Sequence, residues 1–225
     1  MALLALSFSF STLRGDPLVV VPQGNLTCSV TVTYHGTLPK GTTATSAKAS
    51  TTGGPVLQNV AITRTGNLRR DLSTWSDGTT YEAWIMEDTG MMVVERTMGT
   101  SKFIYEFPKN SISRNPFSPV ILQWEAGALG WINPQTLIGD STQSGTPAVL
   151  YQAPMSLPTD LQTPDNELYQ AWVDKKTLVP LALDDGKALY ELTFSGPPKE
   201  QLVMPERFKT ALQHYYNANA TIRHL

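Results

Sequence analysis

The sequence predicts one mainly β domain of antiparallel strands, with short helices packed on the sheet. Three observations carry this expectation. Short runs rich in Val, Ile, Thr, Tyr, Phe and Trp alternate with Asp-Gly and other Gly-containing turns along most of the chain. Helical spacing of apolar residues emerges in two places only. Finally, 225 residues with 41 % hydrophobic and 16 % charged side chains suffice for a sizeable core, and β folds of this length commonly form single domains.

The N-terminal run Met1-Ala2-Leu3-Leu4-Ala5-Leu6-Ser7-Phe8-Ser9-Phe10 has the length of a signal-peptide apolar region and is too short to span a bilayer, although no basic stretch precedes it. Residues 1–15 are therefore expected to be a secretion signal. That leaves 16–225 as one domain in the periplasm or outside the cell, with no transmembrane span. Pro17 to Tyr34 reads as strand, and Leu26, Cys28, Val30 and Val32 share one face of it by the period of two. Cys28, the one cysteine, excludes an internal disulfide and reads as a small core side chain. Residues 36–55, rich in Gly, Thr and Ser, read as a flexible surface loop.

Val56–Thr63 and Asn67–Trp75 read as strands around Arg64-Thr65-Gly66. The turns Ser76-Asp77-Gly78, Glu87-Asp88-Thr89-Gly90 and Met98-Gly99-Thr100 then divide Leu68–Phe107 into a four-stranded meander. Its strands carry large apolar residues at successive positions, as in Trp84-Ile85-Met86 and Met91-Met92-Val93-Val94. A half-solvated antiparallel sheet needs only one apolar face. Something must cover the second face: a helix of the same chain, a partner, or an apolar ligand.

Asn115-Pro116 and Ser118-Pro119 supply helix-start signals, and Val120, Ile121, Trp124, Ala128 and Trp131 recur at helical spacing, which predicts a helix over Pro119–Trp131. A short amphipathic helix is marginal in water by itself, so this one should lie on the meander's second face. After it come a strand at Ala148–Ala153, a Pro-rich irregular stretch from Met155 to Pro164, and a second meander of Leu168–Val173, Leu178–Leu183 and Ala188–Phe194. A last helix from Pro205 to about Tyr216 places Phe208, Leu212 and Tyr215 on one face.

The composition excludes several classes of function. A net charge of -2 with no Lys/Arg run argues against nucleic acid as a partner, and Arg69-Arg70 and Lys175-Lys176 read as solvated pairs. The histidines His35, His214 and His224 lack metal-ligand spacing, so neither a metal nor a cofactor is expected. No nucleophile elbow, phosphate-cradling glycine loop or metalloprotease helix occurs. Asp88-Thr89-Gly90 matches the triplet of aspartic peptidases but has no second copy, and Asp followed by Gly suits a hairpin tip. The chain is thus expected not to be an enzyme.

Taken together, Ser76-Asp77-Gly78-Thr79-Thr80-Tyr81, Trp84, the Glu87-Asp88 turn and the Met91-Met92-Val93-Val94 strand resemble the LolA-like periplasmic lipoprotein carriers. Asn115-Pro116-Phe117-Ser118-Pro119-Val120-Ile121-Leu122 resembles the start of that family's next helix, and Trp172-Val173-Asp174-Lys175-Lys176-Thr177-Leu178-Val179-Pro180-Leu181 resembles its later hairpin. The similarity covers Val56 to Phe208. It departs in lacking an N-terminal helix and in carrying the extra 36–55 loop. The resemblance implies an unclosed antiparallel β-barrel, or strongly curved sheet, with helices covering its concave face and a cavity between them. It also implies a monomeric carrier or binding module for an acylated protein or lipid-like ligand. The expected cavity residues are Trp84, Met86, Met92, Val94, Phe103, Tyr105, Trp124 and Trp131, and Arg64 is the nearest counterpart of an arginine that holds the family's lid helix. Two other readings stand beside it: a non-catalytic cell-envelope protein whose helix plugs the cavity and whose surface serves a protein partner, and an aspartic peptidase using Asp88.

Overall fold

The computed structural model describes residues 18–22, 24–35, 55–107, 129–154 and 168–222, whose strands join into one curved, unclosed antiparallel sheet. The strands are β1 Leu26–Tyr34, β2 Leu57–Thr65, β3 Leu68–Trp75, β4 Thr80–Met86, β5 Met91–Met98 and β6 Ser101–Phe107 in the first half. In the second they are β7 Leu137–Gln143, β8 Thr146–Pro154, β9 Leu168–Asp174, β10 Pro180–Asp184 and β11 Ala188–Ser195. A C-terminal helix, α1, spans Glu206–Ile222. The order across the sheet is β6-β5-β4-β3-β2-β1-β11-β10-β9-β8-β7. Two meanders are therefore joined along β1 and β11, where Cys28 lies beside Phe194 and Val30 beside Leu192. Consecutive strands β6 and β7 end up at opposite edges.

Turn chemistry explains the first meander. The Gly78 and Gly90 backbones have φ of +80° and +67°, a region that side chains with a Cβ disfavour. At the first tip Asp77 Oδ1 accepts from the Thr79 N–H at 2.9 Å, and at the second Gly90 N–H donates to the Met86 carbonyl at 2.6 Å.

Directly paired residues of neighbouring strands share a face, so the register assigns every side chain to one of two sides. Cys28, Val30, Ile62, Val60, Tyr151, Val173, Leu183, Tyr190 and Leu192 form the main cluster on what we term the core face. Leu18, Val19 and Val21 pack on it from before β1, and Leu129, Trp131 and Ile132 from before β7. The opposite side, the helix face, is polar over β1 (Thr27, Ser29, Thr31) but apolar over β4 and β5. There α1 inserts Phe208 and Leu212 between Trp84, Met91 and Val93.

The structure differs from the sequence-based expectation in several elements, and the strand expected over Pro17–Tyr34 begins at Leu26. α1 covers the helix face of the first meander; most of the helix expected at Pro119–Trp131 lies outside the described residues, and its last three positions, Leu129–Trp131, form a turn. β7 was not anticipated, because Ile138-Gly139-Asp140-Ser141 has little strand propensity; at an edge, with one neighbour, it needs less. α1 runs to Ile222, since Ala218 and Ala220 favour a helix and no Gly or Pro stops it. The expected signal segment, the 36–55 loop up to Gly54 and the Met155–Pro164 stretch lie outside the described residues.

Candidate functional site

The eight expected cavity residues do not face one space. Trp84 is paired with Val93 and Arg70, and Met86 with Met91 and Leu68, which places both on the helix face beneath α1. The Trp84 ring meets that of Phe208 at 6.0 Å between centroids. Met92, Val94, Phe103 and Tyr105 lie on the other side: Met92 pairs with Ile85, Val94 with Ala83 and Tyr105, and Arg96 with Phe103. These four are brought together. Trp131 stacks on Tyr169 of β9 at 6.0 Å, over the other half of the core face, and Trp124 lies outside the described residues.

Arg64 is buried on the core face, where its Nε donates to the Gly24 carbonyl at 2.7 Å and its Nη2 to the Pro22 carbonyl at 2.9 Å. Nη1 stands 3.6 Å from Glu87 Oε1. This arginine ties down the segment entering β1. Asp88, the peptidase candidate, is at the exposed tip between β4 and β5, its Oδ1 accepting from the Thr89 N–H at 2.7 Å.

On the core face of β3–β6, side chains grade from enclosed to open. Ala83, Met92 and Val94 are fully buried, whereas Phe103 is 49 % exposed and Tyr105 38 % exposed on edge strand β6. Next to them, one cross-strand row holds Ser73, Tyr81, Arg96 and Phe103. The Arg96 guanidinium lies 5.6 Å from the Tyr81 ring centroid, and Trp75 meets the same ring edge-on at 5.9 Å. Trp75 Nε1 and Arg96 Nε are both buried and have no hydrogen-bond acceptor. Two strands away, Arg69 and Asp71 are buried together in a bidentate pair of 2.8 and 2.9 Å, so that charge is met within the protein. Sequence reasoning overlooked Trp75, Tyr81 and Arg96. The signal was available: Met92, Val94 and Arg96 alternate on one face, and an arginine there interrupts an apolar row.

The helix face has a polar network instead. Glu82 and Glu95 are direct cross-strand neighbours, an arrangement that repels unless cations intervene. Arg207 of α1 bridges them with bonds of 2.8 Å to each, while Arg70 reaches Glu82 at 2.8 Å and Lys102 reaches Glu95 at 3.2 Å.

No family model matches the sequence, and no curated protein matches it significantly.

Other features are structural in character. Burial pushes the Cys28 thiol up to about 12, and it also raises Tyr34 and Tyr190, the latter further opposed by Asp185, which accepts its hydroxyl proton at 2.8 Å. Such a thiol is protonated and inert. His35 pairs through Nε2 with buried Asp184. No cluster of three or more metal-ligating side chains occurs among the described residues. A cavity of about 480 Å³ lies where β11 diverges from β10, lined by Gln143, Ser144, Thr177, Val179, Glu191 and Phe194 among others, and it includes none of the expected residues. No helix among the described residues is long and apolar enough to cross a membrane.

Proposed function

We propose that this protein is a periplasmic or secreted carrier, or binding module, for an acylated protein or lipid-like ligand, acting without catalysis and as a monomer. The ligand lies on the core face of β4–β6. The observation that carries this reading is the two-sided apolar meander: α1 satisfies one side, while the other runs from buried Met92 and Val94 to half-exposed Phe103 and Tyr105 at an open edge. Exposed aromatics continuous with a buried apolar patch are the expected mouth of an acyl-chain site. The resemblance in the meander's turns points the same way.

The experiment is native mass spectrometry after gentle purification, combined with titration of a fluorescent fatty acid. Co-purified lipid, and probe binding that weakens several-fold in Phe103→Ser/Tyr105→Ser with unchanged melting temperature, are the expected results. A clean apo mass with no probe binding would sink the reading.

Full burial of Ala83, Met92 and Val94 favours a second reading, in which this face is already plugged and the protein serves an envelope protein partner. Deleting residues 119–131 separates the two. If the intact protein binds no apolar dye and the deletion variant does, the plug reading holds.

A further inference from the structure

Arg96 is unusual among the core-face cations of the first meander. Arg69 is matched by Asp71 and Arg64 by backbone carbonyls and Glu87, but among the described residues Arg96 has the Tyr81 ring and no carboxylate. Every other described carboxylate on β3–β6, namely Glu82, Glu95 and Glu106, is on the helix face by register. A guanidinium stacked on an aromatic ring keeps its in-plane N–H groups available, and those fit the paired oxygens of a carboxylate or phosphate. Here the Nε–H is already desolvated and unmatched, and so is the indole N–H of Trp75, packed against the same ring. A buried donor left unpaired loses its hydration without compensation, so a folded protein seldom retains two beside one ring without a use. Among the described residues the corner thus offers a positive charge and two dry donors, with no carboxylate. Around it stand Met98, Phe103 and Tyr105, all on the same face and all exposed.

We infer that this corner binds the anionic end of the ligand, a carboxylate or a phosphate ester, while its acyl chain runs over Phe103 and Tyr105 toward Met92 and Val94. The inference rests on the carrier reading and narrows its ligand from any apolar molecule to an anionic amphiphile. Arg96 supplies charge and the Nε–H, Trp75 a neutral donor, and Tyr81 holds the guanidinium in place. Neutral lipids of the same chain length are discriminated against, because they leave both donors unpaired.

The test titrates the full chain with oleate, oleoyl lysophosphatidate and uncharged oleyl alcohol, following the Trp75 indole N–H resonance, assigned with Trp75→Phe. At least one anion should bind about tenfold or more tightly than the alcohol and move that resonance; the tighter of the two identifies carboxylate or phosphate as the source. Arg96→Gln should abolish the preference yet leave alcohol binding and the melting temperature unchanged, and Arg96→Lys should restore part of it. Equal binding of oleate, lysophosphatidate and alcohol by the wild type overturns the anion site while the carrier reading stands. If no amphiphile binds, the carrier reading falls, and inorganic phosphate then decides the corner: an indole shift that Arg96→Gln removes supports an anion site, and no shift overturns it.

Discussion

Cys28, Tyr34 and Tyr190 set how this protein responds to alkali. The thiol lies at zero exposure on the central strand, and burial moves it from 9.0 to about 12, while Tyr34 and Tyr190 are raised above 10.0. The unfolded chain releases these protons first. The stability they confer is fully present below about pH 9 and is lost as pH rises toward 12. The denaturant midpoint should therefore be lower at pH 10.5 than at pH 7, and Cys28 should react with a maleimide at pH 8 only after unfolding. Rapid labelling of the native protein would contradict its burial. At the acid end the sign reverses. The backbone N–H of Thr177 chiefly, helped by the Thr177 hydroxyl and the Lys176 N–H, depresses Asp174 below its ordinary 3.8. Its contribution is present above that value and lost as pH falls through the depressed one, so Asp174→Ala should narrow the gap in melting temperature between pH 6 and pH 2.5.

Between elements, the decisive contact is that of α1 with β4 and β5. Phe208 is fully buried, and Arg207 neutralises two facing carboxylates, one of them buried. Phe208→Ala should cost about 3–5 kcal/mol. Arg207→Ala should cost about 1–3 kcal/mol, less than a fully buried pair because the arginine is partly solvated, and Glu82→Gln in that background should recover part by relieving repulsion. Urea unfolding followed through tryptophan fluorescence measures all three. The α1 stripe of Phe208, Leu212 and Tyr215 was legible in the sequence, as were the strands of both meanders, because Asp-Gly turns punctuate them. Which face each strand presents was not. Within β4 the alternation is clear, but whether Trp84 sides with Met92 or with Val93 depends on the four-residue tip Glu87–Gly90, and a shift of one residue exchanges the faces. The expected site therefore mixed two sides. For Arg96 the interruption of the Met92–Val94 row was legible by alternation within β5, but that Glu82 of the neighbouring strand lies on the other face needed the register.

Over the whole molecule, the β1–β11 junction determines how stability is distributed. It pairs residues some 160 positions apart, from Thr27 with Ser195 to Tyr34 with Ala188, and it alone zips the two meanders into one sheet. Such a long-range contact carries a large loop-closure cost and is expected to make folding slow for the protein's size. Once formed it is the best protected region, since Cys28, Val30, Val60, Ile62 and Leu192 surround it and each central strand has neighbours on both sides. The edges are the reverse. β6 and β7 have one neighbour each, and Phe103, Tyr105, Leu137 and Ile138 are exposed. Native-state hydrogen exchange should accordingly grade outward. Amides of β1 and β11 should exchange only at the global unfolding free energy, and those of β6 and β7 that point away from the sheet should exchange fastest. Adding the anionic amphiphile should then slow exchange in β5 and β6 and leave β7 unchanged, because the proposed site touches one edge only. Protection of β7 equal to that of β1 in the free protein would instead mean that the second edge is paired with another chain, and the monomeric reading would fall.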